Sequence, residues 1–313
     1  MPPKKSKRPR STKQQSGGSM GIDLHCSPAR FELGEFHGTC LTKHELHKVA
    51  ESVQLNPEPA VPKRVLVKKI KERIGPHCAA NDKSETCMLE KLDYQTKSNI
   101  LRKAYRPEKP RSWVANPQEW LSTYDILNVM SQYEERYKRY RFLGVYPVDF
   151  TDRTDDGYCV GENMCNFNVR DFLATGKNKF GLVLNTDTHR GDGEHWFAIY
   201  ANLDKRSKQF GIYYYDSVAN PPDKKNSGKY CTRFMQAIKD QVTELMGTDV
   251  GARFQKRHNK IEAQFQNSQC GIFCQVFITQ MLKGHSFDTV CHRMPRDRRM
   301  MELRDVLYRP PEH

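Results

Sequence analysis

Four residues met in the order His195, Asp216, Gln264 and Cys270 carry the parts that thiol-based hydrolysis of an amide needs. Such a reaction requires a thiolate, an imidazole to move its proton, a group that orients the imidazole, and donors for the tetrahedral oxyanion. Cys270 stands before Gly271 at the mouth of an apolar run, "QCGIFCQVFITQML". A helix beginning there would aim unpaired N–H groups and the positive end of its dipole at the sulfur, which favours the thiolate. Glycine at 271 lets a substrate carbonyl come close. His195 opens the run "HWFAIY", where an imidazole could project into a cleft as a general base. Asp216 closes the run "FGIYYYD", and adjacent hairpin strands would return its carboxylate to the imidazole. Gln264 precedes Cys270 by six residues, and its amide with the Cys270 N–H would make an oxyanion hole. Gln266 and Gln269 are alternatives for that glutamine.

Each of these residues has a plainer explanation on its own, so the weight lies in their joint arrangement. Cys274 follows one helical turn after Cys270 and reads as a core residue. The stretch "HELH" places His44 and His47 three apart, where a zinc-protease helix needs four, so both read as exposed helix histidines. The ten cysteines include no Cys-x-x-Cys and no paired Cys/His spacing, so neither a metal nor another cofactor is expected. With no apolar segment after the basic start and no run long enough to span a bilayer, we expect a soluble chain without membrane insertion. Its cysteines should then be free thiols in a reducing compartment.

The elements that must position these residues follow from the pattern. The runs "KFGLVLNTD", "HWFAIYANL" and "QFGIYYYDS" are β-branched and aromatic, bounded by Gly, Asp and Asn, and predict three strands. "KYCTRFMQAIKDQVTELMG" and "CGIFCQVFITQMLKG" predict helices closed by glycine. Upstream, "LTKHELHKVAESV" with a Thr42 cap, "PKRVLVKKIKERIG", and "SETCMLEKLDYQTKSNILRKAY" predict three helices. "RPEKPRSWVANP" breaks helix repeatedly and reads as a boundary, and the next segment, as far as Phe150, predicts one long amphipathic helix followed by a turn. The fold class expected is α+β. The division expected is a disordered basic tail at 1–20, a helical N-terminal arm at 21–106 and a catalytic core at 107–313.

With the segments "GEHWFAIY", "YYYDSVANPP" and "QFQNSQCGIF" in that order, the chain resembles the cysteine proteases that include the SUMO-specific proteases and the adenovirus protease. "FGLVLNTD" ahead of the histidine narrows the resemblance to the polyprotein-processing maturation proteases of large DNA viruses such as African swine fever virus. It implies a papain-like core of the ubiquitin-like-protease type, a central mixed sheet flanked by helices, behind a helical arm. It further implies a cysteine endopeptidase that cleaves capsid or core precursors after Gly-Gly-like or Ala-Gly-like motifs, in the virion and the host cytoplasm. Trp196 would roof a narrow channel that admits only glycine-like residues near the scissile bond, and Gly271 would also meet substrate, although a core tryptophan on an alternating strand fits equally. Asn185 would contact substrate backbone, or close an Asx-turn at the strand end.

The formal net charge of +14 favours an acidic partner. Residues 1–20 hold six Lys/Arg and no acid, and cannot bury enough apolar surface to order. That tail and the basic segment after Cys291, read as a solvated surface, allow non-specific DNA contact beside the expected protein substrates. Two rivals remain open at this point: an isopeptidase removing ubiquitin-like modifiers with the same triad, and a basic nucleic-acid-binding virion protein with an inactive protease fold.

Overall fold

The computed structural model describes residues 26–31, 38–78, 85–223 and 228–311. The basic tail expected over residues 1–20 lies outside the described residues. One mixed sheet runs β1 (Tyr140–Tyr146), β2 (Lys179–Asn185), β3 (Trp196–Asn202), β4 (Gly211–Tyr215) and β5 (Gln255–His258), in that spatial order. The pairs β1/β2 and β4/β5 are parallel, and β2, β3 and β4 form an antiparallel centre. Helices before, between and after the strands complete the expected α+β fold.

The two-residue period of the central strands explains why they are apolar throughout. On β3, Ala198 and Tyr200 join a cluster with the helix Cys270–Leu282, while Phe197, Ile199 and Ala201 join one with the helix Gly228–Met246. A sheet covered on both faces can spare few polar positions. Cys270–Leu282 is buried on nearly every side, as a helix apolar all round must be. It seats close to the sheet because position 181 is glycine: a Cβ there would stand 2.6 Å from the Tyr140 hydroxyl and 3.2 Å from Ile278 Cγ2. Tyr215 stacks on Phe277 at 4.7 Å between ring centres, which fixes the end of β4 against this helix.

A third cluster, including Leu41, Leu46, Leu66, Ile70 and Met88, gathers the helices Lys43–Ser52, Lys63–Ile74 and Tyr94–Ala104. Thr42 caps the first through a reciprocal box with Glu45, and Gly75, at φ 63°, closes the second. This region meets the rest of the chain through Gln132, whose amide nitrogen donates to the carbonyls of Arg102 and Tyr105 at 3.1 and 2.7 Å.

Four expectations are corrected. The third upstream helix is split: a 3₁₀ turn at Thr86–Lys91 stops before Asp93, whose side chain accepts the Thr96 N–H and starts a new helix. The long helix before Phe150 covers only Thr123–Arg136, boxed at its start by Ser122 and Asp125, after which the chain becomes β1. The basic C-terminal segment is a solvated surface only in part: Arg293, Arg296, Arg298 and Arg299 are exposed, but the helix Asp297–Leu307 buries Asp297, Met300, Arg304 and Leu307. Six cysteines are not free thiols but form disulfides Cys26–Cys40, Cys78–Cys87 and Cys159–Cys165. The folded chain brings their Cα atoms to 5.2, 5.5 and 5.8 Å, within bridging range, a proximity that a compartment inferred from the N-terminus cannot veto. Among the described residues, no helix is long and apolar enough to cross a membrane, and no group of His, Cys, Asp or Glu is arranged to hold a metal ion.

Candidate active site

His195 is the residue just before β3, and the register Asn185↔Trp196 sets it at the end of the sheet where β2 finishes. β4 runs back alongside β3, so Asp216 emerges at the same end. His195 Nε2–H donates to Asp216 Oδ1 at 2.8 Å. The side chain of Cys270, a free and buried cysteine, lies close enough to the imidazole to raise its pKa alongside Asp216. Three residues far apart in sequence thus form one contiguous chain of sulfur, imidazole and carboxylate.

Asp216 is buried and its carboxylate is held. Oδ1 accepts the Val218 N–H at 2.9 Å as well as the imidazole. Its backbone is clamped by Asn259: the Asp216 N–H donates to Asn259 Oδ1 at 2.9 Å, and Asn259 Nδ2 donates to the Asp216 carbonyl at 2.6 Å. Ala219, at φ 57°, bends the chain back so that its N–H reaches the same carbonyl at 2.9 Å. A left-handed conformation costs a residue with a Cβ about 1–2 kcal/mol, so the fold is holding this turn. Sequence reading missed Asn259, because it follows the unrecognised strand β5 and carries no periodic signal.

Burial alone would pull His195 below its ordinary value. The hydrogen bonds and charges of Asp216 and Cys270 overcome that and push it up to about 10. The ring is therefore an imidazolium at neutral pH. Cys270 opens its helix after Gln269, which gives no side-chain cap, so the first backbone N–H groups of the helix stay open to an anion.

The three glutamines separate. Gln264 is buried, and Ser217 Oγ donates to its Oε1 at 2.6 Å, tying it to the turn after Asp216. One hydrogen of its amide nitrogen goes to the Gln266 carbonyl at 2.5 Å. The side chain of Gln266 is exposed. Gln269 is buried but its amide turns to Ser268 Oγ and Met301 Sδ, at 2.9 and 2.7 Å.

Trp196 is half-buried, and its indole N–H donates to the Leu121 carbonyl at 3.0 Å. Leu121 also lies against Gly271: a Cβ there would come within 3.1 Å of Leu121 Cβ. The stretch ahead of the Thr123–Arg136 helix therefore forms a wall beside the nucleophile, with Trp120 partly exposed on it. Asn185 closes the loop before His195, its Oδ1 accepting the N–H groups of Asp187 at 2.9 Å and Glu194 at 3.2 Å. Cys274 is buried, with its thiol pushed far up by that burial.

Residues 183–307 match the family model described as Ulp1 protease family, C-terminal catalytic domain. The chain is 25% identical over 308 residues to a protein named as a thiol protease in Acanthamoeba polyphaga mimivirus, covering 91% of this chain and 93% of that one. It is 29% identical over 132 residues to a SUMO-1 cysteine protease of African swine fever virus, covering 42% of this chain and 44% of the relative. The crystal structure of the African swine fever virus protease shares the fold, with a TM-score of 0.61 at 18% identity over 92% of this chain and 96% of that one.

Proposed function

We propose that this cysteine-type peptidase, whose residues 183–307 are similar to the catalytic domain of the Ulp1 protease family, is a maturation endopeptidase with Cys270 as nucleophile, His195 as acid and base, Asp216 as orienting group and Gln264 as oxyanion donor. The observation that carries this reading is the contact chain Cys270–His195–Asp216 at the uncapped start of a buried helix.

The reacting form pairs the His195 imidazolium with the Cys270 thiolate. The sulfur attacks the scissile carbonyl carbon, and the carbonyl electrons move onto oxygen. The second hydrogen of the Gln264 amide and the Cys270 backbone N–H stabilise that oxyanion, each donor being worth roughly 10²- to 10³-fold in kcat. The imidazolium then gives its proton to the departing amine as the C–N bond breaks, leaving a thioester. Neutral His195 next takes a proton from water, which attacks the thioester and releases the acid and the sulfur. Asp216 holds the ring in one tautomer throughout.

The substrates are structural precursors of a virus particle, cut after Gly-Gly-like or Ala-Gly-like motifs in the virion and the host cytoplasm. Trp196 lines the channel there, against Leu121. Asn185 shapes the loop before His195 rather than binding substrate backbone directly. The test is to incubate wild type and Cys270→Ala with the structural proteins of the source particle and map new N-termini. Cleavage by wild type alone is expected, and normal turnover by the variant would sink the assignment.

A second reading, removal of ubiquitin-like modifiers, draws on the name of the African swine fever virus relative. A labelled intact modifier tested beside a Gly-Gly-X peptide separates them, because modifier release without peptide cleavage favours the isopeptidase. The net charge of +14 supports non-specific DNA contact as an accessory property, with steep salt dependence as its mark.

A further inference from the structure

One stripe of the helix Asp297–Leu307 touches the segments that wall the cleft on both sides. Asp297, Met301 and Arg304 stand at i, i+4 and i+7, so they share a face. Asp297 Oδ2 accepts the N–H of Phe265, the residue after Gln264, at 2.9 Å. Met301 Sδ meets the Gln269 amide at 2.7 Å, immediately before Cys270. Arg304 donates from its two terminal nitrogens to the carbonyls of Pro117, at 2.5 Å, and Glu119. Its guanidinium carbon lies 3.8 Å from the centre of the Trp113 ring. The backbone so pinned runs two residues on to Leu121, which supports both Trp196 and Gly271.

We infer that Arg304 and Asp297 are positioning residues for peptide hydrolysis: Arg304 sets the wall that holds substrate across Cys270, and Asp297 sets the backbone that presents Gln264. Burying an arginine is costly, and apolar residues of similar volume often support a fold as well or better. Arg304 is 3% exposed, and its two donors, both given to backbone carbonyls of one segment, match a guanidinium fork that a lysine cannot reproduce. Asp297, 6% exposed, serves one backbone N–H beside Gln264, a task an asparagine oxygen can also perform. The two residues act on different steps. Loss of the Arg304 fork loosens substrate binding, whereas loss of the Asp297 acceptor displaces the oxyanion donor.

The inference rests on the catalytic roles proposed above, and the experiment keeps the two apart. The full chain is assayed with a quenched Gly-Gly-Ala peptide, with iodoacetamide labelling of Cys270, and by thermal melting. Wild-type cleavage with selective Cys270 labelling tests the catalytic roles themselves. For Arg304→Lys we expect a tenfold or greater fall in kcat/KM, mostly through KM, with alkylation within twofold of wild type. For Asp297→Ala we expect kcat to fall at least tenfold with little change in KM, and Asp297→Asn to restore most of it. Arg304→Lys with kcat/KM within twofold of wild type overturns the role of Arg304, as does a variant that is unfolded or whose alkylation falls in step with cleavage. An Asp297→Asn variant as impaired as Asp297→Ala overturns the role of Asp297.

Discussion

Replacing Asp216 by Asn keeps the size of the side chain and one acceptor oxygen while removing the charge that His195 faces. In the wild type the imidazole rises from 6.5 to about 10 against the pull of burial, through Asp216 and Cys270 together. At 1.36 kcal/mol per pH unit, the rise corresponds to about 5 kcal/mol in favour of the imidazolium. The Asp216 hydrogen bond is the largest of the raising causes, so the carboxylate carries a large part of that rise. Burial persists in the variant, and the titration midpoint of His195 should fall by about two pH units. Titrating the ring Cε1–H by NMR between pH 6 and 11 measures this without a substrate. A folded-state value above the unfolded one means the associated stability is complete below 6.5 and lost as pH rises through about 10. The difference in melting temperature between wild type and Asp216→Asn should therefore be widest near pH 6 and close by about pH 10. An unchanged His195 midpoint in the variant would refute the pairing from which this reasoning starts.

Gln264→Ala should lower kcat by roughly 10²-fold or more and destabilise the chain by about 1–3 kcal/mol, because the buried Ser217 hydroxyl loses its acceptor, and Gln266→Ala should leave steady-state kinetics as they are. Asn259→Leu leaves the buried N–H and carbonyl of Asp216 without their side-chain partner. It should destabilise the chain by about 1–3 kcal/mol per lost bond, read by urea unfolding, and should slow cleavage as Asp216 moves. Thiol titration in denaturant without reductant should find four free cysteines, Cys231, Cys270, Cys274 and Cys291. Converting Cys26 and Cys40 to serine should cost about 3 kcal/mol, seen as faster hydrogen exchange in the helices between Lys43 and Ala104 and little change in β2 to β4.

The strands β2, β3 and β4 were readable because, covered on both faces, they are apolar or aromatic at nearly every position. The same compactness made the nucleophile helix readable from its apolar length. β1 was lost because "YRFLGVY" follows a helix with no break that local propensity recognises, and its pairing with β2 shifts register between Phe142 and Gly144. β5, "QKRH", is an edge strand four residues long with no buried member, so it carries no hydrophobic signal at all. Residue types and order placed His195, Asp216 and Cys270 in one proposal, and the fold brings those three into contact. Nothing along the chain distinguishes Gln264 from its neighbours, since what sets it apart is Ser217, a residue 47 positions away. The Arg304 contacts belong to the same class of long-range pairing, whereas the disulfides join cysteines only 14, 9 and 6 residues apart and were missed because the compartment was judged from composition.

The order in which the chain is made gives the helix Asp297–Leu307 a further consequence. During synthesis the four residues assigned to the chemistry leave the ribosome before the stripe that fixes their surroundings, and the N-terminal parts fold first. A growing chain would thus hold its sulfur and imidazole while the cleft walls were still unset. Lys109 and Glu108 are in turn tied to Asp305 and Arg309. Competence to cut would arrive only once the helix Asp297–Leu307 has been made and has packed against the segments that wall the cleft.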